Sequence, residues 1–166
     1  MESEISDPVS REVIPGNAKF PIWKTIEIGT CKTVHDVKRK LSKSHLSNWV
    51  RDILEKPDFR LVKEKKVVRL CLVSVRELTG KSTATRKEVY RSISAVGKFC
   101  DPEVGPLLRT VYRDQPAEDW IYVAMEPIKD SCGRPNIFSI VSVKSRLWLR
   151  VDWAYSTHVF SGEDRF

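Results

Sequence analysis

The stretch Arg146-Leu147-Trp148-Leu149-Arg150 has the spacing of a stacking site. On an extended strand alternate side chains share a face, so Arg146, Trp148 and Arg150 point one way and Leu147 and Leu149 the other. Two cations flanking an indole can stack on a nucleobase or clamp an acidic peptide. The commoner arrangement is plain packing, with Trp148 under a helix and the arginines snorkelling outward. A second candidate is electrostatic. Lys38, Arg39, Lys40 and Lys43 crowd one short segment, and Lys63, Lys65 and Lys66 crowd another. Such clusters attract polyanions, although a solvated helix face and a solvated turn explain them more simply.

Other chemistries find less support. Cys31 and His35 are spaced like two metal ligands, but structural zinc needs four, and the remaining Cys and His occur singly. No metal site and no cofactor is expected. Cys100 lies just before the helix start at Asp101-Pro102, where a thiol pKa can fall. Filling a gap between two helices is its simpler role. A Cys/His-based enzyme built around Cys100, His35 or His158 is the alternative function. The carboxylate pair Asp101/Glu103 fits helix capping, while Glu118/Asp119 and Glu163/Asp164 read as loop and tail charges. The seven glycines stand one at a time, so no phosphate-cradling loop is present. Helices over 85–97 and 101–113 with a hairpin behind them have the order of a winged helix-turn-helix. Yet the second helix offers only Arg109 and Arg113 as long donors and is half apolar.

The elements that must position these residues are legible in outline. Residues 21–28 alternate as a strand that Gly29 ends. Thr33 with Asp36 three residues on predicts a capped helix carrying Val34, Val37 and Leu41. Ser47 opens a second helix that Pro57 stops. Residues 60–62 and 67–75 read as two strands, with Cys71 in the core. Thr85-Arg86-Lys87-Glu88 is a capping box, and Gly97 offers a left-handed stop to its helix. Asp101-Pro102-Glu103 starts another helix with Leu107, Leu108, Val111 and Tyr112 as its core face. Strands over 120–125, 136–143 and 147–151 and a short edge strand near residues 158–160 predict an antiparallel meander. Cys132 is expected to be exposed in the turn before it.

Charge is lopsided. Residues 20–100 hold 19 Lys and Arg against 8 Asp and Glu, whereas residues 101–166 hold 8 against 10; the whole 166-residue chain carries +7. No stretch approaches the roughly 20 apolar residues of a membrane span, and the acidic start Met1-Glu2-Ser3-Glu4 lacks the pattern of a secretory signal. A cytoplasmic protein with reduced cysteines is expected.

Several stretches resemble a small bacterial family of uncharacterised modules. They are Pro21-Ile22-Trp23-Lys24-Thr25, Asn48-Trp49 through Leu54 and Phe59, and Val73-Ser74-Val75 with Glu77-Leu78. Glu103-Val104-Gly105-Pro106 with Leu108-Arg109, Asp114-Gln115-Pro116, Met125-Glu126-Pro127-Ile128 with Asp130-Ser131, and Leu147-Trp148-Leu149 continue the series. The resemblance covers most of residues 20–166 and implies no activity, substrate or cofactor. In that family the strand around residues 67–70 is acidic; here it follows Lys65-Lys66 and contains Arg69. The resemblance thus implies that the basic surface is particular to this chain.

The expected architecture is a single α+β domain over residues 20–166, with an antiparallel sheet and about four helices on one side, preceded by a disordered tail over residues 1–19. The expected function is a non-enzymatic binding module whose basic surface engages nucleic acid or an acidic protein, regulating or inhibiting that partner. Its contact residues are Lys38, Arg39, Lys40, Lys43, Lys63, Lys65, Lys66, Arg146, Trp148 and Arg150.

Overall fold

The computed structural model describes residues 20–166, so the tail expected over residues 1–19 lies outside the described residues. In chain order the elements are β1 (Lys24–Ile28), α1 (Val34–Lys40), a 3-10 turn (Leu41–Lys43), β2 (His45–Leu46) and α2 (Asn48–Leu54). Then come β3 (Lys66–Leu70), α3 (Val75–Thr79), β4 (Thr83–Thr85), α4 (Arg86–Val96) and α5 (Val104–Val111). Strands β5 (Trp120–Tyr122), β6 (Ile128–Lys129), β7 (Pro135–Val143), β8 (Arg146–Trp153) and β9 (Val159–Ser161) complete the chain. The class is α+β, as the pattern predicts, but the strands form three sheets instead of one. The largest has the order β2-β8-β7-β5, with β6 also on β7; β1 pairs with β3, and β4 with β9. All pairs are antiparallel except β2 on β8, which is parallel. Among the described residues no helix is long and apolar enough to cross a membrane.

Local chemistry explains the helix starts. In a capping box the cap hydroxyl accepts the N–H three residues on, and that residue's carboxylate accepts the cap N–H, which satisfies two orphan donors. Thr33/Asp36 and Thr85/Glu88 do this for α1 and α4, and Ser74/Glu77 does it for α3. The last pair explains why the strand expected over 67–75 stops at Leu70: the chain turns into a helix four residues later. The expected strand 60–62 does not form, because the Val62 N–H bonds to the Glu103 carboxylate instead of to a neighbouring strand. Cys71, expected in the core, is exposed at the end of β3. Gly97 is extended (φ −166°), not left-handed, since the chain runs straight on to the bridge between Cys100 and Met125. Helix α5 begins at Val104, later than Asp101-Pro102-Glu103 suggested, and Val111 faces solvent.

Helix α5 is the centre of the core. Its residues Val104 to Arg109 are all buried. Gly105 lies so close to β7 that an added Cβ would stand 2.8 Å from the Phe138 Cβ. Only glycine permits that approach between helix and sheet. A buried charge sits near each end of the helix. At the start, Glu103 is fully buried and its Oε1 accepts the Gly29 N–H at 3.1 Å and the Val62 N–H at 3.0 Å. Gly29 is itself constrained. Its φ is +77°, and a Cβ there would fall 2.2 Å from the Glu64 carbonyl oxygen. Near the end of α5, Arg109 is fully buried and donates to the Gln115 Oε1 and the Tyr112 carbonyl. Gln115 in turn donates to the carbonyls of Asp119 and Ile140 and to the Asp119 carboxylate, which also takes Arg165.

Burial is the largest influence on Glu103 and raises its pKa above the ordinary 4.5, against the lowering effect of the two N–H bonds. A carboxyl raised on folding favours the folded state fully below 4.5 and loses that contribution as pH climbs through its folded-state value. Glu103→Gln keeps an oxygen for both N–H groups and removes the buried charge. Its stability relative to the native chain, measured by urea unfolding, is expected to rise as pH climbs above 4.5 and to level off once Glu103 is ionised in the folded state. Glu103→Ala strands both donors and is expected to cost roughly 2 kcal/mol or more at pH 7.

Candidate functional site

Two residues of β2 place a ring at the edge of the large sheet. His45 pairs with Trp148 on β8, Trp148 with Val141 on β7, and Val141 with Trp120 on β5. His45, Trp148, Val141 and Trp120 therefore form one row across four strands. The His45 and Trp148 rings lie 5.0 Å apart at 33°. The next row on the same face is Arg150, Ser139 and Tyr122. The Arg150 guanidinium stands 5.1 Å from the Trp120 ring centroid. Val141 and Ser139 are buried and make the floor, while Trp148, Trp120, Tyr122 and Arg150 are half-buried and Arg146 is exposed. Phe160 and Phe166 close the face at Tyr122, with centroids 5.1 and 5.3 Å away.

This face is free to carry such residues because helices cover the other one. On β8, Leu149 is fully buried on the side where α2 and α5 pack, in the cluster with Phe138 and Ile140. Trp148 is thus not packed under a helix; it lies against His45 at the sheet edge.

His45 also lines a polar groove of about 370 Å³, together with Lys38, Ser42, Ser44 and Arg51. Lys43 is exposed beside it. Among the described residues neither Lys43, Arg51 nor Arg146 has a carboxylate partner in an ion pair. A basic groove thus runs into a row of rings through a single side chain, His45. Asp152 is the acid on the ring face. Its carboxylate accepts a hydrogen bond from the Ser139 hydroxyl. Burial raises its pKa, partly offset by that bond and by Arg150 and His158.

The ten residues expected to make contacts divide. Lys38 lines the groove, Lys43 is exposed next to its Ser42 and Ser44, and Arg146, Trp148 and Arg150 belong to the ring face. Lys40 donates to the Thr30 hydroxyl at 2.9 Å, and Arg39 is paired with Asp36 at 2.6 Å. Lys63, Lys65 and Lys66 lie in the segment leading into and starting β3. There Lys65 pairs with Glu27 at 2.5 Å and Lys66 with Asp101 at 3.0 Å, while the Lys63 carbonyl accepts Lys32 at 3.4 Å. Lys38 itself is shared with Glu55. His45, Arg51, Trp120 and Asp152 complete the site and were missed. The alternation of Trp120-Ile121-Tyr122 carried a signal, whereas a two-residue strand at His45 carries none.

The helix-turn-helix reading does not survive. A recognition helix must expose a polar face, and α5 buries every residue from Val104 to Arg109. Cys100 is half-buried, and its thiol is pushed up to about 12, by burial first and by Asp101 second. That is the reverse of the activation a nucleophile needs. Among the described residues no three His, Cys, Asp or Glu side chains group closely enough to hold a metal ion.

Compared with family models, curated proteins and solved structures, the chain matches none of them.

The four thiols give a direct check on this geometry. Cys71 and Cys132 are exposed, Cys100 is half-buried and Cys31 is buried. Two thiols are expected to react promptly with a disulfide reagent in the native protein and four after unfolding. Cys71→Ser and Cys132→Ser should each remove one prompt equivalent. A promptly reacting Cys100 would revive the Cys/His enzyme.

Proposed function

We propose that this protein is a non-enzymatic binding module for single-stranded nucleic acid. The observation that carries this reading is the continuity of the Lys38–Arg51 groove with the His45–Trp148–Trp120 row. Cations in a groove follow a phosphate backbone, and half-buried rings accept bases whose faces are free. A duplex keeps its bases stacked inside and gains only the first of these contacts. Regulation or inhibition of the bound strand's other encounters is the simplest role for such a module. We place it in the cytosol, where its four free thiols stay reduced.

An acidic protein surface would use the groove but not the rings, and this separates the two readings. Fluorescence anisotropy with labelled single-stranded and duplex RNA and DNA, across a salt series, is the test. Micromolar binding that prefers single strands and weakens steeply with salt is expected. Trp148→Ala should weaken it by about 5- to 150-fold, the range of one lost base stack. Lys43→Gln and Arg146→Gln should each lower the salt slope by about one without changing sequence preference. Asp152→Asn should strengthen binding, and Lys65→Gln should leave it unchanged. No binding at low salt would overturn the proposal. Equal affinity for an oligoglutamate, indifferent to Trp148→Ala, would overturn it in favour of an acidic protein partner.

A further inference from the structure

Away from the ring row, the ends of β1 and β3 and the helices α4 and α5 enclose a cavity of about 190 Å³. Its wall is largely apolar: Leu72, Ile93, Val104, Leu108, Ile121 and Phe166 contribute. Its mouth is at the surface, where the lining residues Arg69, Cys71, Val96 and Lys98 are exposed. At the lip the Cys71 thiol donates to the Phe20 carbonyl at 3.6 Å.

Three features decide what such a cavity takes. The first is size. An apolar cavity of about 150 Å³ admits a benzene ring and otherwise stays dry, so this one accepts a chain of roughly six to eight carbons. The second is polarity. The Cys100 side chain in the wall keeps its proton, because burial pushes the thiol up to about 12. It therefore offers no charge to the interior. The third is the mouth. Among the described residues neither Arg69 nor Lys98 has an ion-pair partner. The nearby Asp101 is engaged by Lys66 at 3.0 Å. Two uncompensated cations at the rim of an apolar hole favour a molecule with an apolar body and an anionic head.

We infer that this cavity is a binding site for a medium-chain carboxylate, its alkyl chain inside the apolar wall and its carboxylate between Arg69 and Lys98. The cavity touches the margin of the ring face at Tyr122 and Phe166 but takes no residue from the groove or from the His45–Trp148–Trp120 row, so the inference does not depend on the proposed nucleic-acid binding.

Isothermal titration of the full chain with octanoate, hexanoate and butyrate tests it. Affinity is expected to rise roughly fourfold for each added methylene, the factor that follows from burying one CH₂. 1-Octanol supplies the same chain without the charge and should bind more weakly. The double substitution Arg69→Gln/Lys98→Gln changes only exposed side chains. It should weaken octanoate at least tenfold and leave 1-octanol unchanged. In a Cys132→Ser background, octanoate should slow the reaction of the Cys71 thiol. The inference is overturned by absent heat up to millimolar octanoate, by affinity that ignores chain length, or by an octanoate affinity that the double substitution does not alter.

Discussion

The rest of the structure depends on how helix α5 is held. Its two buried charges do opposite things. Glu103 gathers donors from two separate loops, at Gly29 and Val62. Arg109 distributes a positive charge outward through neutral groups, to the Tyr112 carbonyl and through Gln115 to Asp119. Burial, and secondarily the Arg113 charge, pull the Arg109 pKa down to about 10, so it remains a cation at neutral pH. A buried ion tolerates this only where hydrogen bonds replace its hydration. Removing Gln115 would therefore strand a charge as well as a bond. Between the two, Gly105 lets the helix touch β7 backbone to ring. The small β1–β3 sheet, the 112–119 loop and the large sheet are thus referred to one rigid element.

That arrangement settles which face of the large sheet does the folding. Helices α2 and α5 bury the Phe138–Ile140–Leu149 side, so the hydrophobic gain is made there. The opposite side is left to rings and cations that a core would exclude. Glu103, Gly105, Arg109 and Gln115 are the parts of this anchorage. Their spacing is accounted for by the fold.

Much of the secondary structure was legible because its causes are local. The Thr33/Asp36 and Thr85/Glu88 boxes and the alternation along β8 announce themselves within a few residues. Ser74/Glu77 is the same signal, obscured by an apolar run that looks like a strand on either side of it. The failures have one cause in common, a long-range partner. The Val62 N–H, the exposed Val111 and the division into three sheets depend on contacts between residues far apart in sequence. The site shows the same limit. Arg146, Trp148 and Arg150 were read correctly as one face of a strand. Pairing by Glu27, Asp36, Glu55 and Asp101 divided the lysine clusters in a way composition does not reveal.

The ring row is not equally firm along its length. From Trp120 to Trp148 it is stitched by β5–β7 and by the eight-residue register of β7–β8. From Trp148 to His45 it is held by a two-residue parallel pairing and a bond from the Ser47 N–H to the Leu149 carbonyl. His45 can leave Trp148 with the loss of a two-residue pairing, whereas Trp148 and Trp120 stay tied through Val141 and the full β7–β8 ladder. The row is thus tied firmly from Trp120 to Trp148 and by few bonds at His45, so its outer end is the part that costs least to displace.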